Sequence, residues 1–163
     1  MKIKPVASSQ SPVGSKAVRV KNLREFAAFA KNFAAGLKGG EVVALSGPLG
    51  AGKTTFVQIV GRALGVRERI TSPTFTLMHV HAARGQNKIK LVAHLDAYRL
   101  RGAKAFREIG ALDYLGRPDT VAFVEWAEKV RRELPPSARW LDIIPENGGK
   151  VRYIHVDRPP HGD

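Results

Sequence analysis

The sequence predicts a three-layer α/β fold around a mixed central sheet, and three observations carry this prediction. Short β-branched runs alternate along the chain with amphipathic stretches, which is typical of a sheet with helices on both faces. A glycine-rich loop joins one of these runs directly to a helical pattern. Each half of the chain also contains a candidate hairpin, so the strands cannot all be parallel.

The predicted helices follow from apolar spacing and from end signals. The first begins at Asn22, which forms a capping-box-like start with Glu25, and it ends at Gly39-Gly40. Its apolar stripe consists of Leu23, Phe26, Ala27, Phe33, Ala34 and Leu37. The later helices are predicted at 54–64, 103–109 and 127–133.

The predicted strands are short and apolar. One precedes the glycine-rich loop, another ends in a Glu-Trp pair, and four form two hairpins. The first hairpin turns through a polar connection and the second through a glycine turn. The strands are predicted at 41–46, 75–81, 89–95, 120–124, 139–144 and 150–156.

Composition bounds the class of protein. The 163 residues, 44% of them hydrophobic, suffice for one domain, which we expect at 18–158. A flexible basic tail is expected at 1–17 and a short tail at 159–163. The absence of cysteine excludes disulfides and thiol catalysis.

No apolar stretch approaches the roughly 20 residues that cross a bilayer, and the N-terminus lacks the apolar centre of a secretory signal. We therefore expect no membrane association and a cytoplasmic protein. A transit peptide is a weaker interpretation of the tail, since it shows no amphipathic Arg-bearing helix.

The formal net charge of +13 predicts attraction to polyanions or to acidic protein surfaces. The basic residues are scattered rather than gathered in one block, so a solvated basic surface remains the alternative.

Residues 47–54 read GPLGAGKT, a complete G-x-x-x-x-G-K-[ST] phosphate-binding loop between a strand and a helix. Its glycines allow successive backbone N–H groups to point at one phosphate, beside the positive end of the helix. Lys53 would reach the β and γ phosphates, and the Thr54 hydroxyl would ligate Mg²⁺. The alternative is a glycine-rich turn before a helix. We expect the nucleotide to contact Leu49, Gly50, Ala51, Gly52, Lys53, Thr54 and Thr55.

Two carboxylates at strand ends complete the candidate site. Glu125 ends the run VAFVE and could hold Mg²⁺ directly or through water, and Asp96 ends the run LVAHLD by the same logic. The alternative for each is an acid that caps a turn. His94 shares a strand face with Asp96, so it either orients that carboxylate or packs in the core. His79 and His81 also share a face, but without a third metal ligand a polar strand face is the preferred interpretation.

Four blocks in order resemble the TsaE family of bacterial P-loop ATPases, which are needed for tRNA threonylcarbamoyladenosine modification. They are GPLGAGKTT at 47–55, SPTFTL at 72–77, HLDAYRL at 94–100 and VEW at 124–126. The first block is generic, and the other three together are specific to the family. The resemblance extends from the helix at Asn22 to the terminal hairpin and implies a P-loop NTPase-like fold.

The resemblance implies an ATPase that is weak alone and depends on partners, with ATP and Mg²⁺ as cofactors. Lys53 and Thr54 would contact phosphate and Mg²⁺, Glu125 would be the second acid at the metal, and Asp96 would be the acid required for hydrolysis. Each assignment agrees with the interpretation from the residues alone.

Four further residues or sets of residues enter with the resemblance. Thr74 resembles a switch threonine that senses the γ-phosphate, although a plain Pro turn at strand entry is the alternative. Arg99, on the loop after Asp96, could stabilise phosphate charge, but a partner-binding or structural role is preferred. Trp126 would lie beside the site, with core packing as the alternative. The family's adenine position implies contacts near Asn22, Leu23 and Gly149.

The implied partners are a threonylcarbamoyl transferase subunit and its paralogous scaffold subunit, with tRNA reached through their complex. The chain would drive turnover or reset of that complex without transferring the group itself. It departs from the family's pattern at Pro48, where an acid is frequent, and at 104–107, where KAFR replaces paired glutamates. Any contact that needs negative charge at 104–107 must therefore differ.

Two other functions remain open at this stage. A small-molecule kinase would suit the phosphate loop and acids, but it needs a lid segment that the sequence does not show. A non-hydrolytic module would use ATP only to order the Thr74 loop.

Overall fold

A seven-stranded mixed sheet forms the centre of the molecule. The structure is a computed structural model that describes residues 16–85 and 88–157. The strands are β1 (Lys16–Val20), β2 (Val42–Ser46), β3 (Met78–Ala82), β4 (Leu91–Asp96), β5 (Thr120–Glu125), β6 (Arg139–Glu146) and β7 (Val151–Val156). Their order across the sheet is β1-β7-β6-β2-β5-β4-β3.

The centre of the sheet is parallel and its edges are antiparallel. β2 pairs in parallel with β5 and β6, and β4 pairs in parallel with β5. The β3–β4 and β6–β7 hairpins and the β1–β7 pair are antiparallel. The predicted mixed sheet and both predicted hairpins are thus confirmed.

Helices cover both faces of this sheet. They are α1 (Leu23–Ala35), α2 (Lys53–Ala63) and α3 (Ala103–Glu108), with 3-10 segments at Ala111–Asp113, Ala127–Glu133 and Asn147–Gly149. α1 and α2 pack on the face that carries Val43 and Leu45 of β2, whereas α3 and the 127–133 segment pack on the face with Val42 and Ala44. The three-layer α/β architecture is confirmed.

Aromatic side chains fill the layer between the sheet and the two long helices. The Phe56 ring of α2 lies 5.3 Å from Phe33 and 6.3 Å from Phe26, both on α1, and 6.3 Å from Phe123 on β5. Burial of these rings anchors α2 to the sheet near its N-terminus, where the glycine-rich loop ends.

The ends of α1 explain one difference from the sequence prediction. The Asn22 side chain accepts the Glu25 N–H at 2.9 Å, so the predicted start is confirmed. The helix ends at Ala35, however, because the Glu41 carboxylate accepts the N–H groups of Lys38 and Gly39 at 2.7 and 2.8 Å. The chain up to Gly40 is therefore a turn and not helix.

Three further elements differ from the prediction. β1 begins at Lys16 and pairs with β7, so Lys16 and Ala17 belong to the sheet and not to the tail. β3 begins at Met78 and not at Phe75, since the Leu77 N–H bonds the Pro73 carbonyl and Leu77 adopts φ 68°. The 127–133 helix is a 3-10 segment with a kink at Val130. The remainder of the tails predicted at 1–17 and 159–163 lies outside the described residues. None of the helices within 16–85 and 88–157 is long and apolar enough to cross a membrane.

Candidate functional site

The carboxyl ends of three parallel strands place the predicted site residues at one edge of the sheet. β2 leads into the glycine-rich loop, β5 ends in Glu125 and β4 ends in Asp96. Asp96 and Glu125 are register partners, and the Ala97 N–H donates to the Glu125 carbonyl at 3.0 Å. Adjacent parallel strands therefore bring the two predicted acids together beside the loop.

The glycine-rich loop has the backbone that its sequence requires. Gly47 adopts φ 133°, and a Cβ there would lie 2.3 Å from the Ile143 carbonyl oxygen. Gly52 adopts φ 111° at the N-cap of α2, where no side chain caps the helix. The first N–H groups of α2 therefore remain available to an anion.

Lys53 folds back over the loop. Its Nζ donates to the carbonyls of Gly47 at 2.6 Å and Pro48 at 3.0 Å, and it lies 3.9 Å from the centre of the Trp126 ring. Only 4% of the residue is exposed, and burial lowers the pKa of the ammonium group, against the opposing charges of Glu125, Glu128 and Asp96. The ammonium is held at the loop, beside the place where the motif predicts phosphate.

Glu125 is fixed by two donors on one oxygen. The Thr54 hydroxyl donates to Glu125 Oε1 at 2.7 Å, and His94 Nε2 lies 2.7 Å from the same oxygen. His94 is fully buried and Glu125 is 3% exposed. His94 therefore orients Glu125, and not Asp96 as one interpretation of the shared strand face suggested.

The Asp96 carboxylate accepts hydrogen bonds from two residues that lie nearer the surface. The Thr74 hydroxyl donates to Asp96 Oδ2 at 3.0 Å, and the Tyr98 N–H donates to Oδ1 at 2.8 Å. The Ser72 and Thr74 hydroxyls lie 2.7 Å apart. Thr74 thus links the second acid to the segment at 72–77.

An open cleft of about 310 Å³ joins these groups. The predicted residues that line it are Leu49, Gly50, Gly52, Lys53, Thr54, Thr55, Thr74, Asp96 and Glu125. Ala51 is buried beneath the loop and accepts a hydrogen bond from Arg152 through its carbonyl. One cleft therefore gathers the loop, the two acids and Thr74.

None of the three residues predicted near the adenine is among the described residues that line this cleft. Asn22 caps α1, Leu23 is 62% exposed, and Gly149 ends the 3-10 turn between β6 and β7. The adenine contacts stay a prediction.

Trp126, which the family resemblance implied beside the site, lines the cleft, whereas three further lining residues were not predicted: Ser72, Tyr98 and Arg152. Trp126 and Tyr98 are sequence neighbours of predicted residues, and their rings lie 4.9 Å apart. Arg152 has no such signal, because only the pairing of β7 across the sheet brings it to the loop.

Three other candidate residues have partners elsewhere. The Arg99 guanidinium lies 4.3 Å from the centre of the exposed Phe75 ring. His79 bonds the Thr76 hydroxyl and His81 bonds Glu68, both at 2.6 Å. Among the described residues there is no group of three or more His, Cys, Asp or Glu that could hold a metal ion.

Comparison with known proteins gives a consistent result. The sequence model of the family described as threonylcarbamoyl adenosine biosynthesis protein TsaE matches residues 20–154. A tRNA threonylcarbamoyladenosine biosynthesis protein TsaE from Streptomyces coelicolor is 40% identical over 123 residues, which are 74% of this chain and 81% of that protein. The protein of the same name from Bacillus subtilis is 35% identical over 136 residues, 83% of this chain and 81% of that protein.

A solved structure shares the fold. The crystal structure of Bacillus subtilis YdiB superposes with a TM-score of 0.67 at 29% identity, over 91% of this chain and 88% of that one.

Proposed function

Because the chain belongs to the TsaE family of tRNA threonylcarbamoyladenosine biosynthesis proteins, we propose that it is a Mg²⁺-dependent ATPase serving this modification. Family and fold together indicate a nucleotide-binding protein. The observation that carries the finer proposal is the placement of Thr54, Glu125 and Asp96 in one cleft beside the loop.

The oxygen donors at the loop fit a magnesium ion. The Thr54 hydroxyl and the Glu125 carboxylate lie in contact at 2.7 Å, and Mg²⁺ is bound by such oxygens together with phosphate and water. Thr54 and Glu125 would hold the ion, which when bound neutralises the charge on the β and γ phosphates.

The protein's own groups then have separate tasks. The N–H groups at the start of α2 and the Lys53 ammonium bind the phosphates. Asp96 would accept a hydrogen bond from an attacking water, and the hydrogen bond from the Thr74 hydroxyl to its carboxylate supports this role. The Lys53 ammonium contacts two loop carbonyls and the Trp126 ring, so it lies at the loop where it would meet the phosphates.

A role in this tRNA modification implies work with the modification machinery. We take the partners to be the threonylcarbamoyl transferase subunit and its paralogous scaffold subunit, with tRNA reached through the complex in the cytoplasm. ATP hydrolysis would drive turnover or reset of that complex, and the transfer step would belong to the transferase.

An ATPase assay tests this proposal. Phosphate release from ATP is measured for the protein alone and with the transferase, the scaffold subunit and tRNA, each with Mg²⁺ and with excess chelator. We expect slow release that requires Mg²⁺ and rises when the partners are present. Transfer of labelled phosphate to a metabolite would instead identify a kinase, and binding of ATP without any release would identify a nucleotide-gated module.

A further inference from the structure

Arg152 reaches the phosphate-binding loop from the side opposite the two acids. In the sheet, β5 and β4 lie on one side of β2, whereas β6 and β7 lie on the other. Asp96 and Glu125 therefore approach the loop from one side and Arg152 of β7 from the other, and all three line the same cleft. Nothing in the phosphate-loop motif includes this arginine.

Two contacts hold the Arg152 side chain in place. Its Nε donates to the Ala51 carbonyl at 2.8 Å, and its guanidinium carbon lies 5.3 Å from the centre of the Phe26 ring. A Cβ on Gly52 would lie 3.4 Å from Nε, so the guanidinium sits at the loop's last glycine, beside the start of α2. These contacts use one nitrogen and one face, and they leave the two terminal nitrogens as donors for a ligand.

The distribution of charge in the cleft favours an anion at this position. The two carboxylates and the Thr54 hydroxyl occupy one side, where oxygen donors suit a metal. Phosphate oxygens that point away from that side need a positive partner. Arginine provides one with geometry suited to two phosphate oxygens at once, and the Arg152 side chain is already held by Ala51 and Phe26.

We propose that Arg152 is a phosphate-binding residue that contacts the nucleotide's polyphosphate on the side of the loop away from the acids. The inference rests on the proposed function, since it takes the ligand to be ATP. Arg152 binds the ligand and supports the Ala51 peptide of the loop, while the acids serve the metal and the water.

Calorimetric titration with ATP, ADP and inorganic tripolyphosphate tests the assignment, using the full chain and the variants Arg152→Gln and Arg152→Lys. Arg19→Gln is the matched control, because the exposed Arg19 lies over Tyr153 on the same strand pair but does not line the cleft. Unfolding in urea shows whether each variant is folded.

We expect Arg152→Gln to weaken all three ligands by about 10- to 100-fold, as loss of a charged hydrogen bond does. Arg152→Lys should retain part of the affinity, and Arg19→Gln should bind as the wild type does. A folded Arg152→Gln protein with unchanged affinities overturns the inference. A folded Arg152→Gln protein that binds ATP more weakly but binds tripolyphosphate as the wild type does also overturns it, because Arg152 would then contact the nucleoside. A wild-type protein that binds no ATP would refute the proposed function itself.

Discussion

The two acids of the cleft are neighbours in the sheet, but they are held in different ways. Glu125 is oriented by the fully buried His94 and by Thr54 at the start of α2, so its position belongs to the folded core. Asp96 is oriented by Thr74, which precedes Phe75, a ring that is 81% exposed. The Glu125 side of the cleft, where we propose the metal, is thus held by the core. The Asp96 carboxylate is equally buried, but it receives its hydrogen bonds from Thr74 and Tyr98, which belong to more exposed segments.

This difference predicts that substitutions on the two sides have different consequences. Changes to the loop and to the Glu125 partners should cost folding free energy as well as binding. Changes in the 72–77 segment should leave stability nearly intact and reduce turnover.

The largest loss of stability is expected for Gly47→Ala. A Cβ at this residue meets the Ile143 carbonyl oxygen at 2.3 Å while φ is 133°, so either the loop or β6 must move. We expect the free energy of unfolding to fall by more than about 2 kcal/mol, measured by urea denaturation. Gly50→Ala is the matched control, since Gly50 has φ 77° but a Cβ there meets nothing within 4 Å. Equal losses for the two variants would contradict the close approach of the loop to β6.

The second-largest loss of stability is expected for His94→Ala. It removes a fully buried ring and one of the two hydrogen-bond partners of Glu125 Oε1, so we expect a loss of about 1–2 kcal/mol in the same assay. His79→Ala, on the neighbouring strand, removes a half-buried ring bonded to Thr76 and should cost less than about 1 kcal/mol. If His94→Ala is as stable as His79→Ala, Glu125 does not depend on the core for its position.

Thr74→Val should change stability least. It removes the hydroxyl that bonds Asp96 but keeps the side-chain shape, so unfolding should shift by no more than about 1 kcal/mol. The turnover number for ATP should nevertheless fall by about tenfold or more with little change in ATP affinity. Thr76→Val in the same segment is the control, because its hydroxyl bonds His79 outside the cleft. Loss of stability without loss of turnover would reverse the proposed division.

The core side of the site was largely predictable from the sequence, because local patterns specify it. The glycine motif predicted Lys53 and Thr54 as site residues, and strand periodicity predicted Glu125 as an acid at a strand end. The structure brings all three into one cleft. Arg152 could not be predicted in this way, since its approach depends on the pairing of β7 with β6 across the sheet.

The surface segment was predicted less well. The apolar run from Phe75 looked like the start of a strand, but Leu77 at φ 68° turns the chain and exposes Phe75, whose ring contacts Arg99. β1 was missed because Lys16 and Ala17 follow a polar, Ser- and Pro-containing stretch, and only the open edge of β7 makes them a strand. In both cases tertiary contacts overrode the local pattern.

The most direct test of the division between the two acids compares Asp96→Asn with Glu125→Gln. ATP affinity is measured with and without Mg²⁺, and hydrolysis is followed in a single turnover. Asp96→Asn should bind Mg²⁺-ATP within about threefold of the wild type and hydrolyse it about 10²- to 10⁴-fold more slowly. Glu125→Gln should lose the effect of Mg²⁺ on binding. If Asp96→Asn loses the Mg²⁺ effect as Glu125→Gln does, or hydrolyses ATP at the wild-type rate, the assignment of separate roles to the two acids is contradicted.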